Sequence, residues 1–206
     1  MTYRTLALLR RTALATLAAA TLGGCAALVV GGAVGTALMA SDRRTSGVQL
    51  EDQTIEIKAA NRVREAVGER GHVSATSYSR TLLLTGEVPS EADRSAIEQT
   101  VSRIENVRAT VNELAVMGSS SLTARSNDAI LTSKVKASYV DAKDLQANAI
   151  KVVTERGTVF LMGRVTEREA SRASDLARGV SGVQKVVRVF EILTEAELAD
   201  LGSKKN

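Results

Sequence analysis

Cys25 and His72 are the chain's single thiol and single imidazole, the two side chains best suited to act as nucleophile, general base or soft metal ligand. Neither has the company that such chemistry needs. Cys25 sits in "TLGGCAALVV", among glycine and aliphatic residues without a charge, and His72 sits in "ERGHVSA" at a loop-to-strand boundary. Zinc takes several Cys, His or carboxylate ligands at short spacings and calcium takes a run of oxygen ligands, and no such spacing occurs. Glu167, Arg168 and Glu169 follow Thr166 at the spacing of a helix cap, so they read as a helix start and not as an acid–base pair. No catalytic residue, metal or cofactor is therefore expected. For a lone thiol there remain burial as an inert small hydrophobe and covalent modification.

The residues before Cys25 favour modification. Arg4, Arg10 and Arg11 make a short basic region, and residues 12–22 form an uncharged apolar run of the length of a secretory signal. Leu22-Gly23-Gly24-Cys25 then resembles the bacterial lipobox, in which the thiol receives a diacylglycerol and the chain is cut before the cysteine. On this reading residues 1–24 are the signal peptide and 25–49 a lipidated apolar tether. Each buried CH2 of the lipid contributes about 0.8 kcal/mol, so several acyl chains on one residue anchor it to a membrane for good. Ala26 in place of Asp agrees with sorting to the outer membrane where Asp is the retention signal. A competing reading stays open: residues 12–40 carry no charge, are long enough to span a bilayer uncleaved, and include a Gly31–Gly35 GxxxG.

Removing the signal changes the electrostatics. The formal charge of +4 includes its three arginines, and the chain from Cys25 holds 24 basic against 23 acidic side chains. The overall basic charge is thus a poor argument for nucleic acid, no nucleic-acid partner is expected, and aromatics at 2% with no Trp speak against a platform for stacking bases.

The rest of the chain reads as one unit written twice. "RTLLLTGEVPSEAD" matches "GTVFLMGRVTEREA", Asp52 matches Asp128, Gly86 matches Gly163, and Val107 and Val111 match Val183 and Val187, about 76 residues apart. The copies span 50–117 and 126–193, joined by "GSSSLTAR" as a flexible linker over 118–125 and followed by a tail over 194–206. Each copy predicts a helix (52–67 and 128–140) opened by acidic or Asn residues, then a hairpin (73–88 and 150–165). A second helix follows Ser90-x-x-Asp93 or Thr166-x-x-Glu169, and a last strand (107–116 and 183–193) returns parallel to its neighbour because a helix intervenes. The fold class is α+β: two tandem αββαβ domains, each a mixed three-stranded sheet packed by two helices. Arg80 stands where the second copy has the turn residue Gly157, so the first turn should be less relaxed.

With "GTVFLMGRV" ending near Gly163 and "GVSGVQKVVRVFEI" around Gly182-Val183, each copy resembles the BON domain, and two of them behind a lipobox resemble the dual-BON outer-membrane lipoproteins. That resemblance implies a non-enzymatic protein on the periplasmic face of the outer membrane. It also implies binding of anionic phospholipid, phosphatidylglycerol or cardiolipin, through the second domain, in support of envelope integrity and possibly at division sites.

The charges point to the same domain. Residues 50–117 hold 8 basic against 11 acidic side chains, and residues 126–193 hold 11 against 8. A Lys or Arg near an anionic surface contributes about 1 kcal/mol, which suffices for a tethered protein. In the helix over 128–140, Leu131, Val135 and Ser138 form the stripe that should meet the sheet, while Ile130, Lys134 and Ala137 form an outward stripe suited to lipid. A second surface asks for cover. Val153, Phe160, Met162, Val186 and Phe190 are expected to crowd one face of the second sheet, to be covered by the first domain or, in the alternative reading, by an envelope protein partner or a second copy.

Overall fold

The computed structural model describes residues 42–203. Cys25, the expected signal, the GxxxG and most of the tether lie outside the described residues, as does the Lys204-Lys205 end. From Arg43 onward the chain forms one compact unit. Its first copy runs α1 (Ser46–Val67), β1 (His72–Tyr78), β2 (Thr81–Val88), α2 (Glu91–Val101), β3 (Ala109–Asn112) and β4 (Ala115–Val116). The second runs α3 (Leu122–Asp141), a 3-10 turn (Ala147–Ala149), β5 (Ile150–Glu155), β6 (Thr158–Val165), α4 (Glu167–Gly179) and β7 (Lys185–Ile192), and α5 (Glu195–Ser203) closes the chain. In each copy the hairpin strands are antiparallel and the last strand joins the middle one in parallel, as a crossover helix requires. This is the α+β architecture that the repeat predicts.

Two details differ from the expectation. The predicted single strand over 107–116 is broken into β3 and β4, both on β2, because Asn112 Oδ1 accepts the Leu114 amide at 3.2 Å and turns the buried Leu114 side chain into the core. The first helix of each copy also starts about six residues earlier than predicted. Thr45 and Ser121, not the acidic residues, are the caps, accepting from the Val48 and Ala124 amides. The connector therefore ends at Ser121, and half of the predicted flexible linker is helix.

The repeated aspartates have another task. Asp52 Oδ1 accepts from Ser77 Oγ at 2.6 Å and from the Arg80 amide at 2.8 Å, while Oδ2 accepts from the Ser79 amide at 2.8 Å. Asp128 accepts from the Arg156 and Gly157 amides at 2.7 and 2.9 Å. These amides belong to the hairpin turns, where the strands reverse through positive φ: 51° at Ser79, 68° at Arg80, 51° at Arg156 and 70° at Gly157. Each helix thus supplies the acceptor that a tight turn cannot find in the sheet. Burial alone would raise the Asp52 carboxyl, but the hydrogen bonds from Ser77, Arg80, Arg44 and Ser79 outweigh it and hold the group below the usual carboxylate range. We expect Asp52→Ala to cost about 2–3 kcal/mol at neutral pH, since several donors lose a charged acceptor. Because the folded carboxyl is depressed, its contribution is full above the ordinary value of 3.8 and fades as pH falls through the lower folded value. Urea midpoints should show the deficit of the variant shrinking in acid.

Three apolar clusters hold the unit together. In the first domain Ile55, Ala59 and Val63 of α1 meet Leu82 and Leu84 of β2 and Ile97 and Val101 of α2. In the second, Val135 and Tyr139 of α3 meet Val159 and Leu161 of β6 and the alanines 170, 173 and 177 of α4, which admit the Tyr139 ring close enough for its hydroxyl to donate to Ala173 O at 2.9 Å. Thr166 and Glu169 form a full capping box at the start of α4. The third cluster joins the domains: Tyr78 and Leu83 of the first sheet pack against Phe160 and Met162 of the second, with Val111, Val153, Val187 and Val189 beside them.

This interface corrects the expected apolar face in two respects. Val186 and Phe190 belong to the helix side of the second sheet, because β7 pairs with β6 in the register Val159↔Val186 and Phe160↔Val187, and paired residues share a face. Val187 and Val189 are the interface residues. The cover is the first domain, so the face offered in the alternative reading to an envelope protein or a second copy is already occupied.

Polar contacts frame the same junction. Lys151 pairs with Glu56 at 2.8 Å and donates to Ser77 O, and Arg108 reaches Glu191 at 3.2 Å. The deepest contact comes from the end of the expected tether. Arg43, 8% exposed, grips the Glu169 carboxylate with two bonds of 2.7 and 2.8 Å and donates to Arg164 O at 2.7 Å and to Gln146 Oε1 at 3.1 Å. The chain is thus pinned to its second domain before it builds the first. Every described core residue lies after Arg43, so this unit carries what it needs to fold by itself.

Candidate functional site

Helix α3 buries Leu131, Val135 and Tyr139 and turns the opposite side to solvent. Ile130, Lys134 and Ala137 are all exposed, on the outward stripe where the helical spacing puts them. Leu122 and Val140 extend that side at the two ends, with exposures of 76% and 72%, against 55% for Ile130. Lys136 is also exposed, and neither lysine forms an ion pair among the described residues. The one carboxylate between Leu122 and Val140 is Asp128, which is buried against its hairpin turn. The result is a helix face of lysines and large apolar side chains whose one exposed anion, Asp141, is the last residue of the helix.

Beside this face lies an open groove of about 710 Å³. Ile130, Leu131 and Lys134 form one wall, Arg156 and Gln184 another, and Met117 and Ser120 of the inter-domain connector close the end. Ala137 lies farther along the helix and does not line it. The opposing wall is held in place by backbone: the Gln184 amide donates to Gly157 O at 2.9 Å, so the loop before β7 follows the hairpin turn. Met117 and Arg156 escape a reading of the sequence because the groove is made of two domains. No local pattern announces that the last residue of one copy will face a helix of the next.

His72 belongs to this junction but not to a catalytic set. Its Nδ1 lies 3.4 Å from Arg125 Nη1, and burial followed by that guanidinium push the imidazole pKa down, with Glu87 opposing. Among the described residues no group of His, Cys, Asp and Glu is arranged to hold a metal ion, and no helix is long and apolar enough to cross a membrane.

Two αββαβ units fused through their sheets, with the first helix of the second turning one side outward, define a tandem BON-domain protein, and the BON domain family matches residues 52–118 and 127–194. The chain belongs to that family. It is 39% identical over 175 residues to the outer membrane lipoprotein DolP of Haemophilus influenzae, covering 84% of this chain and 90% of that one, and it falls with the dual-BON lipoproteins of the outer membrane. It is also 29% identical over 151 residues to a 21 kDa hemolysin of Actinobacillus pleuropneumoniae (72% and 78% of the two chains). The osmotically-inducible protein Y of Escherichia coli is 26% identical over 145 residues (66% and 70%).

Proposed function

We propose that this outer-membrane lipoprotein is anchored through acylated Cys25 on the periplasmic face, and that it binds anionic phospholipid with the outward face of α3. It works without catalysis or cofactor and serves envelope integrity where the outer membrane is remodelled, division sites among them. The observation that carries the reading is the exposed side of α3, where Ile130, Lys134, Lys136 and Ala137 stand between Leu122 and Val140 and the one exposed carboxylate, Asp141, is confined to the helix end. Lysines recruit the headgroup layer and apolar side chains enter it. Phosphatidylglycerol and cardiolipin fit this chemistry through their charge. The first domain, acidic in balance, is kept on the far side of the sheet interface by Tyr78, Leu83, Phe160 and Met162.

Vesicle co-sedimentation of residues 42–206 tests the reading. Binding should rise with the fraction of cardiolipin or phosphatidylglycerol and fall with salt. Lys134→Ala combined with Lys136→Ala removes about 2 kcal/mol, roughly thirty-fold in affinity, while leaving the fold untouched. Ile130→Asp should abolish binding to the same vesicles, and binding that is unchanged in this variant removes α3 from the site. For the anchor, Cys25→Ser should leave the full chain unlabelled by radioactive palmitate and shift it to the aqueous phase of a detergent partition.

A further inference from the structure

Two buried polar atoms of the groove lining, Glu87 Oε1 and Ser120 Oγ, have no hydrogen-bond partner among the described residues. Glu87 lies in β2 on the face that carries Leu83, beyond the apolar seal between the sheets, and its side chain is fully buried. Its Oε2 accepts the Ser120 amide at 3.0 Å, and the Ser120 carbonyl accepts from Arg125 Nη2 at 2.9 Å and Nε at 3.3 Å. The connector is thus tied down on both sides of Ser120, and only the hydroxyl is left over. An unsatisfied buried polar atom costs about 1–3 kcal/mol, and more when charged, so two of them on hydrogen-bonded residues ask for a ligand that completes both.

The two atoms define what that ligand must offer. A carboxylate oxygen only accepts, whereas a serine hydroxyl donates and accepts. A ligand hydroxyl meets both needs at once, donating to Glu87 and accepting from Ser120. An ammonium gives Ser120 nothing to donate to, and an ionised phosphate oxygen gives Glu87 no proton. A phosphate belongs instead at Lys134 and Arg156, the two cations among the lining residues, and about 710 Å³ is room enough for a headgroup that reaches both ends. We infer that Glu87 and Ser120, supplied by the first domain and the connector, form a hydroxyl subsite that reads the glycerol end of a phosphatidylglycerol headgroup whose phosphate Lys134 and Arg156 hold. The inference rests on the phospholipid reading above and adds the part of the headgroup that the groove selects.

The test compares phosphatidylcholine vesicles that contain equal fractions of phosphatidylglycerol or of phosphatidylmethanol, lipids with the same phosphodiester charge that differ in the glycerol hydroxyls. Residues 42–206 should bind the phosphatidylglycerol vesicles about ten-fold more tightly, the effect of one hydrogen bond to a charged group. Glu87→Gln keeps the shape and an acceptor for the Ser120 amide but presents an NH2 group in place of Oε1, and it should bring the ratio close to one. Ser120→Ala removes Oγ and leaves both backbone contacts, and it should lower the ratio about three-fold. Lys134→Ala should weaken binding to both lipids and keep the ratio. Equal binding of the two lipids by wild type, a ratio that survives unchanged in Glu87→Gln or in Ser120→Ala, or one that is lost in Lys134→Ala overturns the hydroxyl subsite and leaves the phospholipid reading standing. Should Glu87→Gln fail to fold, Ser120→Ala decides alone. Absence of binding to both lipids overturns the phospholipid reading and the subsite with it.

Discussion

Gly86→Ala is expected to unfold the first domain. Gly86 lies in β2 at φ +112°, opposite Val73, and a Cβ built there would stand 2.0 Å from His72 O. The obstacle is backbone of the paired strand, so no rotamer can relieve it and the ladder must open. Positive φ in a residue with a side chain adds its own strain, and together these cost about 4 kcal/mol or more, a large share of the stability of a small domain. Gly163, at the equivalent position of the second copy, would bring a Cβ to 2.5 Å from Ala149 O, so the same substitution there should act in the same direction. Gly118→Ala is the control. Nothing lies within 4 Å of its Cβ position, and urea midpoints should change by less than about 0.5 kcal/mol.

The second large effect should come from Arg43→Ala. The guanidinium is the buried counter-charge of Glu169, and the carboxylate is 5% exposed. Removing one partner of a buried pair costs about 3–5 kcal/mol because the other charge is left without compensation. The Thr166 amide still donates to Glu169 Oε2 at 3.0 Å, which keeps the expected loss near the lower end, about 3 kcal/mol. The Arg43 hydrogen bonds first, and then the Thr166 amide, hold the Glu169 carboxyl below its ordinary value against burial. The stabilisation is accordingly present above 4.5 and fades as pH falls through the folded value, so wild type and Arg43→Ala should converge in acid. Denaturation by urea at neutral and acidic pH measures both points.

How far the sequence reveals this molecule depends on whether a contact is local or long-range. The repeat discloses the order of elements, because Gly86 with Gly163 and Asp52 with Asp128 recur in step. The reason for that recurrence is legible only in three dimensions, where the glycines admit a neighbouring strand and the aspartates feed a turn. Acidic residues suggest helix starts on propensity, yet Thr45 and Ser121 win because their side chains reach free amides at the true ends. The outward stripe of Ile130, Lys134 and Ala137 follows from helical period alone. The strand β7 is harder: its alternation identifies two faces but not which one pairs with Phe160, and that choice of register moved Val186 and Phe190 to the other side of the sheet. Arg43 and Met117 are invisible in one dimension, since a single arginine in a tether and a single methionine at a domain end carry no pattern.

The sheet interface has a consequence for how such a molecule can be cut. Leu83 and Phe160 occupy matching places in the two copies, and each lies against the other copy's strands. The contact is therefore a pseudo-symmetric handshake between near-twins, with both palms hidden and both backs, the helices, turned outward. A stop codon or protease between the copies would leave two halves, each with one adhesive palm uncovered and shaped to accept its like. Clumping of a truncated half is the physical signature of a dimer folded into one chain.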